Sequence, residues 1–157
     1  MNINDELEWR GAINQQTDAE GLNKLVDKQS ISLSCVIDPT GDSMHIGHLI
    51  PFMILKRFQL AGHHPVILIG GGTGAIGDPS GRTTERVLQT TEQVKHNADS
   101  LTAQMKKLFG EDRSFTMMNN YDWLSKFSLL DFLRDYGKLF NINTMLAKDV
   151  VASRLET

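Results

Sequence analysis

Two histidines at the predicted start of a helix are the residues best suited to chemistry in this sequence. His45 and His48 are three positions apart, so they share one face of a helix's first turn. A helix N-terminus presents free N–H groups and a partial positive charge, which attract phosphate. The imidazoles could donate hydrogen bonds to phosphate and ribose oxygens, and Gly47 would let an adenine ring approach the backbone. Two alternatives stay open: histidines that only cap a helix, and a zinc site, for which no nearby Cys or His completes a ligand set.

A glycine-rich loop at residues 70–81 holds a second group of candidates. The loop matches neither the P-loop nor the dinucleotide fingerprint, so its glycines alone favour a simple turn. Asp78 could pair with a substrate ammonium group, or it could cap a turn. Arg82 and Arg86 follow at a spacing that would share a helical face. They could hold a polyphosphate, or they could form a solvated charged surface.

Composition limits the class of protein. The chain has 157 residues, 40% of them hydrophobic and 22% charged, which suits one soluble globular domain. The net charge of −3 is weak evidence against a dedicated nucleic-acid-binding module. The sequence has no apolar run long enough to cross a bilayer, and residues 1–10 resemble neither a signal peptide nor a transit peptide. The single cysteine, Cys35, excludes an intrachain disulfide and fits a reducing cytoplasm, so we expect a cytoplasmic protein without membrane contact.

Hydrophobic periodicity predicts alternating strands and helices. Short apolar runs predict strands at 32–37, 65–69 and 114–118, and helical spacing predicts helices at 5–25, 44–60, 92–109 and 128–140. In the second helix, Ser43 is the predicted N-cap, Gly62 the predicted stop, and Pro51 is expected early, where a helix tolerates proline best. Thr17 would begin a capping box before Gly21.

This order predicts an α/β fold, a Rossmann-like parallel sheet with flanking helices. Right-handed crossovers bring the C-terminal ends of parallel strands to one edge. The loops at 38–48 and 70–81 both follow strands, so we expect them to lie side by side.

Together these motifs resemble the class I aminoacyl-tRNA synthetases, and their tyrosyl branch in particular. The tetrapeptide from His45 to His48 matches the signature of the class. The tryptophanyl branch shares the fold, but the run at 77–81 fits the tyrosyl branch better. The other matching blocks are Asp38-Pro39-Thr40, Asn119-Asn120-Tyr121-Asp122-Trp123, Phe132-Leu133-Arg134-Asp135 and Ser153-Arg154-Leu155-Glu156.

The resemblance implies a two-step reaction in which tyrosine attacks the α-phosphate of ATP-Mg²⁺ and the adenylate then esterifies tRNA(Tyr). It also implies a role for each matching residue, with no metal held by the protein itself. The implied catalytic residues are Thr40, His45, His48, Arg82 and Arg86. The implied ATP-binding residues are Cys35, Asp38, Pro39, Thr40, His45, Gly47 and His48. The implied tyrosine-binding residues are Ser34, Thr73, Asp78 and Asn120.

The sequence departs from the family pattern in the strand of the tyrosine pocket. Where the family has Leu-Tyr-Cys-Gly, this chain has Leu33-Ser34-Cys35-Val36. The missing tyrosine normally hydrogen-bonds the substrate phenol, and Ser34 is too short to replace it without a water. Val36 adds bulk where glycine leaves room for substrate. Arg82 stands where a lysine is common, which keeps the charge but changes the geometry.

Length is the larger departure from the family. Residues 1–157 are interpreted as the N-terminal part of an ATP- and tyrosine-binding catalytic domain, without its second half or an anticodon-binding domain. We therefore expect the isolated chain to be inactive. The alternatives are a small ATP-using nucleotidylyltransferase and a non-catalytic nucleotide-binding or interaction domain. Residues 128–140 are unusually apolar, and the resemblance places a two-fold dimer interface in this region. We therefore also expect a homodimer built mainly by residues 129–157.

Overall fold

A parallel sheet forms the centre of the structure. The computed structural model describes residues 2–77, 88–110, 114–148 and 151. Within them the strands β1 (Ser32–Ile37), β2 (His64–Ile69) and β3 (Thr116–Asn119) pair in parallel in the order β1-β2-β3. The predicted parallel α/β sheet is confirmed. Strand β1 has its predicted bounds, β2 begins one residue earlier, and β3 lies slightly later than predicted.

Two long helices connect the strands. Helix α3 (Ile46–Leu60) lies between β1 and β2, and helix α5 (Thr91–Phe109) lies between β2 and β3. The prediction of Ser43 as N-cap of α3 is wrong, because the helix begins two residues later and His45 caps it. Pro51 consequently lies in the second turn of α3, where it has no N–H to donate to the carbonyl four residues before it. The left-handed backbone of Gly62, with φ 89°, follows the helix end as predicted.

The N-terminal region contains two helices where one was predicted. Helix α1 (Ile3–Trp9) is followed by Gly11, whose φ of 66° is left-handed and interrupts the helix. Helix α2 (Ala19–Lys28) begins after Asp18, whose side chain accepts a hydrogen bond from the Gly21 N–H at 2.8 Å. Asp18, not Thr17, is therefore the cap, and it starts a new helix inside the segment predicted as continuous.

The core divides into two clusters of buried apolar side chains. The main cluster lies between one face of the sheet and helices α3 and α5; it includes Ile37, Phe52, Leu55, Ile67, Ile69, Leu101, Met105 and Phe109. The N-terminal cluster joins α1 and α2 to the later turns of α3; it contains Ile3, Leu7, Val26 and Phe58. An ion pair between Glu6 and Arg57, 2.5 Å long, also joins α1 to α3.

Short helices follow β2 and β3. The segment predicted as the loop 70–81 contains helix α4 (Gly71–Ile76), which ends at Gly77 in the left-handed region. After β3 come α6 (Tyr121–Leu124), α7 (Leu129–Asp135), a 3₁₀ turn (Gly137–Leu139) and α8 (Ile142–Leu146). The single helix predicted over 128–140 is therefore wrong beyond Asp135, because Tyr136 leaves the regular α conformation before Gly137. Among the described residues, no helix is long and apolar enough to cross a membrane.

Candidate functional site

The two loops that follow β1 and β2 are joined directly. The Thr73 hydroxyl donates a hydrogen bond to Oδ1 of Asp38 at 2.7 Å. The backbones approach so closely that a Cβ on Gly74 would lie 2.9 Å from Cδ of Pro39, and one on Gly70 would overlap the Asp38 carboxylate. Glycine is required at both positions by this close approach. The prediction that the loops lie side by side is confirmed.

Two asparagines at the end of β3 hold helix α4 in place. Asn120 is buried; its amide donates to the Thr73 hydroxyl at 3.1 Å and accepts from the Gly72 N–H at 2.7 Å. Asn119 accepts from the Gly71 N–H at 3.2 Å. The first N–H groups of α4 are therefore occupied by amide oxygens. Asp38, Thr73 and Asn120 form one continuous hydrogen-bonded chain across the ends of all three described strands.

An open cleft of about 520 Å³ lies beside this chain of bonds. The first turn of α3 forms one wall, and the loop after β1 and the end of α4 form the others. Its described lining residues are Ile37, Asp38, Thr40, Gly41, Ser43, His45, His48, Gly74, Gly77, Gln89 and Leu101. The structure thus brings the two predicted histidines together with Asp38 and Thr40 around one space large enough for a small ligand.

The hydrogen bond at its ring fixes which nitrogen of His45 can act on a ligand. Nδ1 accepts from the Gly47 N–H at 3.1 Å, so in the neutral ring Nε2 carries the proton. His45 itself is exposed at the cleft. A neutral His45 can therefore donate from Nε2 while Nδ1 caps the helix.

His48 packs against the other histidine. The two ring centroids are 3.7 Å apart, with 21° between the ring planes. Nδ1 of His48 is buried, and no group among the described residues hydrogen-bonds it. Burial lowers the pKa of His48 below its ordinary value, and the positive charge that His45 can carry lowers it further. We conclude that His48 is neutral at pH 7.

Cys35 and Ser34 lie on opposite faces of β1. Cys35 packs against the main core cluster, and burial raises the pKa of its thiol. Ser34 and Val36 are exposed on the other face, opposite Val66 and Leu68 of β2. Neither Cys35 nor Ser34 lines the cleft. The structure therefore separates the predicted ribose contact from the predicted phenol contact by the thickness of the sheet.

The remaining predicted site residues divide into two groups. Pro39 is buried, whereas Thr40 and Gly47 are exposed, and the Thr40 N–H donates to the Asp38 carbonyl at 2.8 Å. Asp78, Arg82 and Arg86 lie outside the described residues. In the part of the chain that the structure describes, there is no group of three His, Cys, Asp or Glu side chains that could hold a metal ion.

Sequence reasoning missed three amide side chains that reach the loop after β1 from α5 and the residues before it. Asn97 donates to the Pro39 carbonyl at 3.0 Å, and Gln89 donates to the Thr40 carbonyl at 3.0 Å. Gln104 donates to the Asp42 carbonyl at 2.8 Å and accepts from the Met44 N–H at 3.1 Å. The sequence carried one signal, because Asn97 is a polar residue on the apolar stripe of α5, next to Ala98. In the structure it is fully buried.

Comparison with known proteins identifies relatives over the whole chain. The family model described as tRNA synthetases class I (W and Y) matches residues 27–157. Tyrosine–tRNA ligase 1 of Enterococcus faecalis is 78% identical over 157 residues, which are 100% of this chain and 38% of that protein. Tyrosine–tRNA ligase of Lactiplantibacillus plantarum is 76% identical over 156 residues, 99% of this chain and 37% of that protein. This chain therefore spans little more than a third of the length of these relatives.

Solved structures give the same result for the fold. The chain matches a C-terminally truncated mitochondrial tyrosyl-tRNA synthetase of Aspergillus nidulans with a TM-score of 0.85 and 31% identity, covering 99% of this chain and 47% of that one. The corresponding protein of Coccidioides posadasii gives a TM-score of 0.79 and 30% identity, covering 99% and 45%. The predicted Rossmann-like class I fold and the resemblance to the tyrosyl branch are both confirmed.

Proposed function

Because this chain belongs to the class I tRNA synthetases (W and Y), we propose that it is the N-terminal part of the ATP- and tyrosine-binding catalytic domain of a tyrosine–tRNA ligase. The observation that carries the proposal is the cleft lined by His45, His48, Thr40 and Asp38, with the Asp38 carboxylate held by the Thr73 hydroxyl. The imidazole and hydroxyl groups can donate hydrogen bonds to a nucleoside triphosphate on one side, and the carboxylate can face an amino acid on the other.

The reaction needs no nucleophile from the protein. The tyrosine carboxylate attacks the α-phosphate of ATP, the bond between the α- and β-phosphates breaks, and pyrophosphate leaves with its electron pair. The 3′-terminal adenosine of tRNA(Tyr) then attacks the tyrosyl carbonyl, and AMP leaves. Catalysis comes from positioning and from stabilising the charge that develops on the phosphates. Mg²⁺ enters with ATP, bound to its phosphates.

The histidines are proposed to act on the nucleotide in different ways. The Nε2–H of His45 is available to a phosphate oxygen because Nδ1 is already bonded to the Gly47 N–H. His48 is neutral, so it can bind a ribose oxygen without drawing a phosphate toward it. Cys35 is assigned to the ribose as well, although it lies on the core face of β1. Thr40, exposed at the cleft, would contact the γ-phosphate side.

The rest of the nucleotide site is proposed from the same cleft. Pro39 and Gly47, each next to residues that line the cleft, are assigned to the nucleotide as well, with Gly47 giving room for the adenine ring. Asp38 is assigned to the region between the α-phosphate and tyrosine, since Thr73 holds its carboxylate. Arg82 and Arg86 are proposed to bind pyrophosphate.

The tyrosine site is proposed at the ends of the strands, with Asp78 on the substrate ammonium group. Thr73 and Asn120 would orient this region, since their side chains bond each other and Thr73 also bonds Asp38. Ser34 occupies the position at which the family places a tyrosine against the substrate phenol. We therefore expect a phenol contact weaker than in the family pattern.

Assembly is proposed to be a cytoplasmic homodimer through residues 129–157, with tRNA(Tyr) bound by other regions of the full protein. None of the described residues of α6, α7 and α8 is buried. Leu129, Leu130 and Leu139 are each more than 70% exposed. Apolar side chains at this density are unusual on the surface of a monomer, and a symmetric dimer needs only one self-complementary patch.

Tyrosine-dependent exchange of pyrophosphate into ATP tests the proposed function. The protein is a full-length chimaera in which this chain replaces the matching 157 residues of the Enterococcus faecalis ligase. We expect exchange that requires tyrosine, and weak ATP binding with little or no exchange from the isolated chain. Exchange that does not need an amino acid would instead favour a nucleotidylyltransferase. ATP binding without any exchange by the chimaera would favour a non-catalytic nucleotide-binding domain.

A further inference from the structure

The main chain between β1 and α3 is held from one side by amide side chains. Asn97 binds the Pro39 carbonyl, Gln89 binds the Thr40 carbonyl, and Gln104 binds both the Asp42 carbonyl and the Met44 N–H. We call these three residues the amide clamp. Each bond goes to the backbone of the loop, so the clamp fixes the path of the chain whatever side chains the loop carries.

Asn97 is the buried centre of the clamp. It is 1% exposed and lies among apolar neighbours of α5, where an unbonded amide would be costly. Its Nδ2 group donates to both the Pro39 carbonyl and Gln89 Oε1, the latter at 3.1 Å, and its Oδ1 accepts from Gln93 at 2.9 Å. Both ends of the amide are used. The bond to Gln89 also orients the side chain that binds the next carbonyl of the loop.

Gln104 fixes the part of the loop that immediately precedes His45. One end of its amide donates at 2.8 Å and the other accepts at 3.1 Å, on backbone groups two residues apart. A carboxylate could accept from the Met44 N–H but could not donate to the Asp42 carbonyl. A methionine has a similar length and could do neither. Of glutamine, glutamate and methionine, only glutamine can therefore make both bonds at position 104.

We propose that Gln89, Asn97 and Gln104 are positioning residues for the ATP reaction. This inference rests on the proposed function, because Thr40 lies within the clamped segment and His45 directly follows it. The clamp holds these two groups at fixed positions on the wall of the cleft before ATP arrives. Preorganised donors stabilise developing charge without reorganising during the reaction, and a displacement of about 1 Å can cost roughly 10²-fold in rate.

Replacing an amide with a purely structural role should lower the stability of the protein without a selective loss of turnover. Gln59 provides that control. Its side chain donates to the Phe109 carbonyl at 3.0 Å, a bond of the same kind at the far end of α5 from the cleft. Gln59→Met should lower the free energy of unfolding about as much as Gln104→Met does. It should leave kcat and the KM for ATP at the values of the unmodified chimaera.

The test compares Gln104→Met, Gln104→Glu and Asn97→Leu in the full-length chimaera by pyrophosphate exchange. We expect Gln104→Met and Asn97→Leu to lower kcat by about 10- to 100-fold, with less than about 3-fold change in the KM for tyrosine. The kcat of Gln104→Glu should lie between that of Gln104→Met and that of the unmodified protein, because the bond from the Met44 N–H remains. Amide hydrogen exchange should also be faster at Met44 in Gln104→Met than in Gln59→Met.

The outcomes separate this inference from the function it rests on. If the unmodified chimaera shows no tyrosine-dependent exchange, the proposed function fails, and Met44 hydrogen exchange still reports whether the clamp orders the loop. If the chimaera is active and Gln104→Met keeps full kcat, the positioning role is wrong. Equal losses of kcat in Gln59→Met and Gln104→Met would also overturn it. Asn97 is deeply buried, so Gln104, which is only half-buried, supplies the decisive variant if Asn97→Leu does not fold.

Discussion

Thr73 and Asp38 are 35 residues apart in sequence, yet the Thr73 hydroxyl donates to the Asp38 carboxylate at 2.7 Å. This bond joins the end of β1 to the helix after β2. Thr73→Val keeps the shape of the side chain but removes the donor, so we expect a loss of about 1–2 kcal/mol in the free energy of unfolding. Urea unfolding measures it. Thr73→Ser keeps the hydroxyl and is the control; a Thr73→Val variant as stable as the unmodified chain would contradict the prediction.

Replacement of His45 should affect turnover more than ATP binding. His45→Ala removes the proposed Nε2–H donor to a phosphate, a contact made mainly in the transition state. We expect kcat for tyrosine activation in the chimaera to fall about 10²–10³-fold, with a much smaller rise in the KM for ATP. His45 also caps α3, so His45→Asn, which keeps a capping side chain, controls for lost stability. A large rise in KM with unchanged kcat would show that the assignment is wrong.

His48 should make the stability of the chain depend on pH. Because folding lowers the pKa of His48, the unfolded chain takes up a proton at a higher pH than the folded chain does. Stability is therefore lost as pH falls below the ordinary histidine pKa, about 6.5, toward the lower folded value. His48→Gln should lose less stability between about pH 7.5 and about pH 5. Urea unfolding at each pH checks this, with His96→Gln at an exposed position as the control. Parallel curves of unfolding free energy against pH for His48→Gln and the unmodified chain would refute it.

Ser34 should weaken discrimination between tyrosine and phenylalanine. A site that hydrogen-bonds a phenol rejects the analogue lacking it by roughly 10⁴–10⁵, since its own polar groups are otherwise left unpaired. Ser34→Tyr restores the family residue on the exposed face of β1. In the chimaera, the ratio of kcat/KM for tyrosine to that for phenylalanine should rise by at least about 10-fold. An unchanged ratio would exclude Ser34 from the phenol contact.

Phe140→Asp should break the proposed dimer. Phe140 is 55% exposed and contacts Phe132 at a ring-centroid distance of 6.3 Å, within the apolar surface of α7 and the 3₁₀ turn. A buried, unpaired carboxylate at a two-fold interface would be strongly unfavourable. Light scattering on the chimaera should give a dimer for the unmodified protein and a monomer for Phe140→Asp. Leu60→Asp, at an exposed position on α3, is the control and should leave the dimer intact. A dimer that survives Phe140→Asp would place the interface elsewhere.

The sequence predicted the three strands and the two long helices between them well. The apolar runs that form β1 and β2 and the stripe of α5 specify their elements locally, and parallel pairing then fixes which loops meet. The proximity of the loops that carry Asp38 and Thr73 followed from the order of elements, whereas the bond between the two side chains was not predicted. That part of the site could be predicted because topology decides it.

Errors arose where a single residue decides the local conformation. Gly11 ends one helix and Asp18 starts another, although the hydrophobic pattern continues past both.

Other errors arose where the deciding partner is distant in sequence. Glycine-rich residues 71–76 form a helix because Asn119 and Asn120 accept from its first N–H groups. These partners come from the end of β3 and the residue after it, far along the chain. The amide clamp was missed for the same reason: its residues act on backbone atoms about 50–60 positions away, and no spacing rule relates them.

Helix α3 carries the site at one end and the N-terminal cluster at the other. His48 lies in its first turn, whereas Phe58 packs with Ile3, Leu7 and Val26 near its last. We expect a local opening that releases α1 and α2 to expose the smaller cluster and break the Glu6–Arg57 pair before the sheet and the cleft open. Such a sub-global opening requires less free energy than unfolding of the whole domain. We therefore expect two cooperative units of unequal stability, joined by one continuous helix.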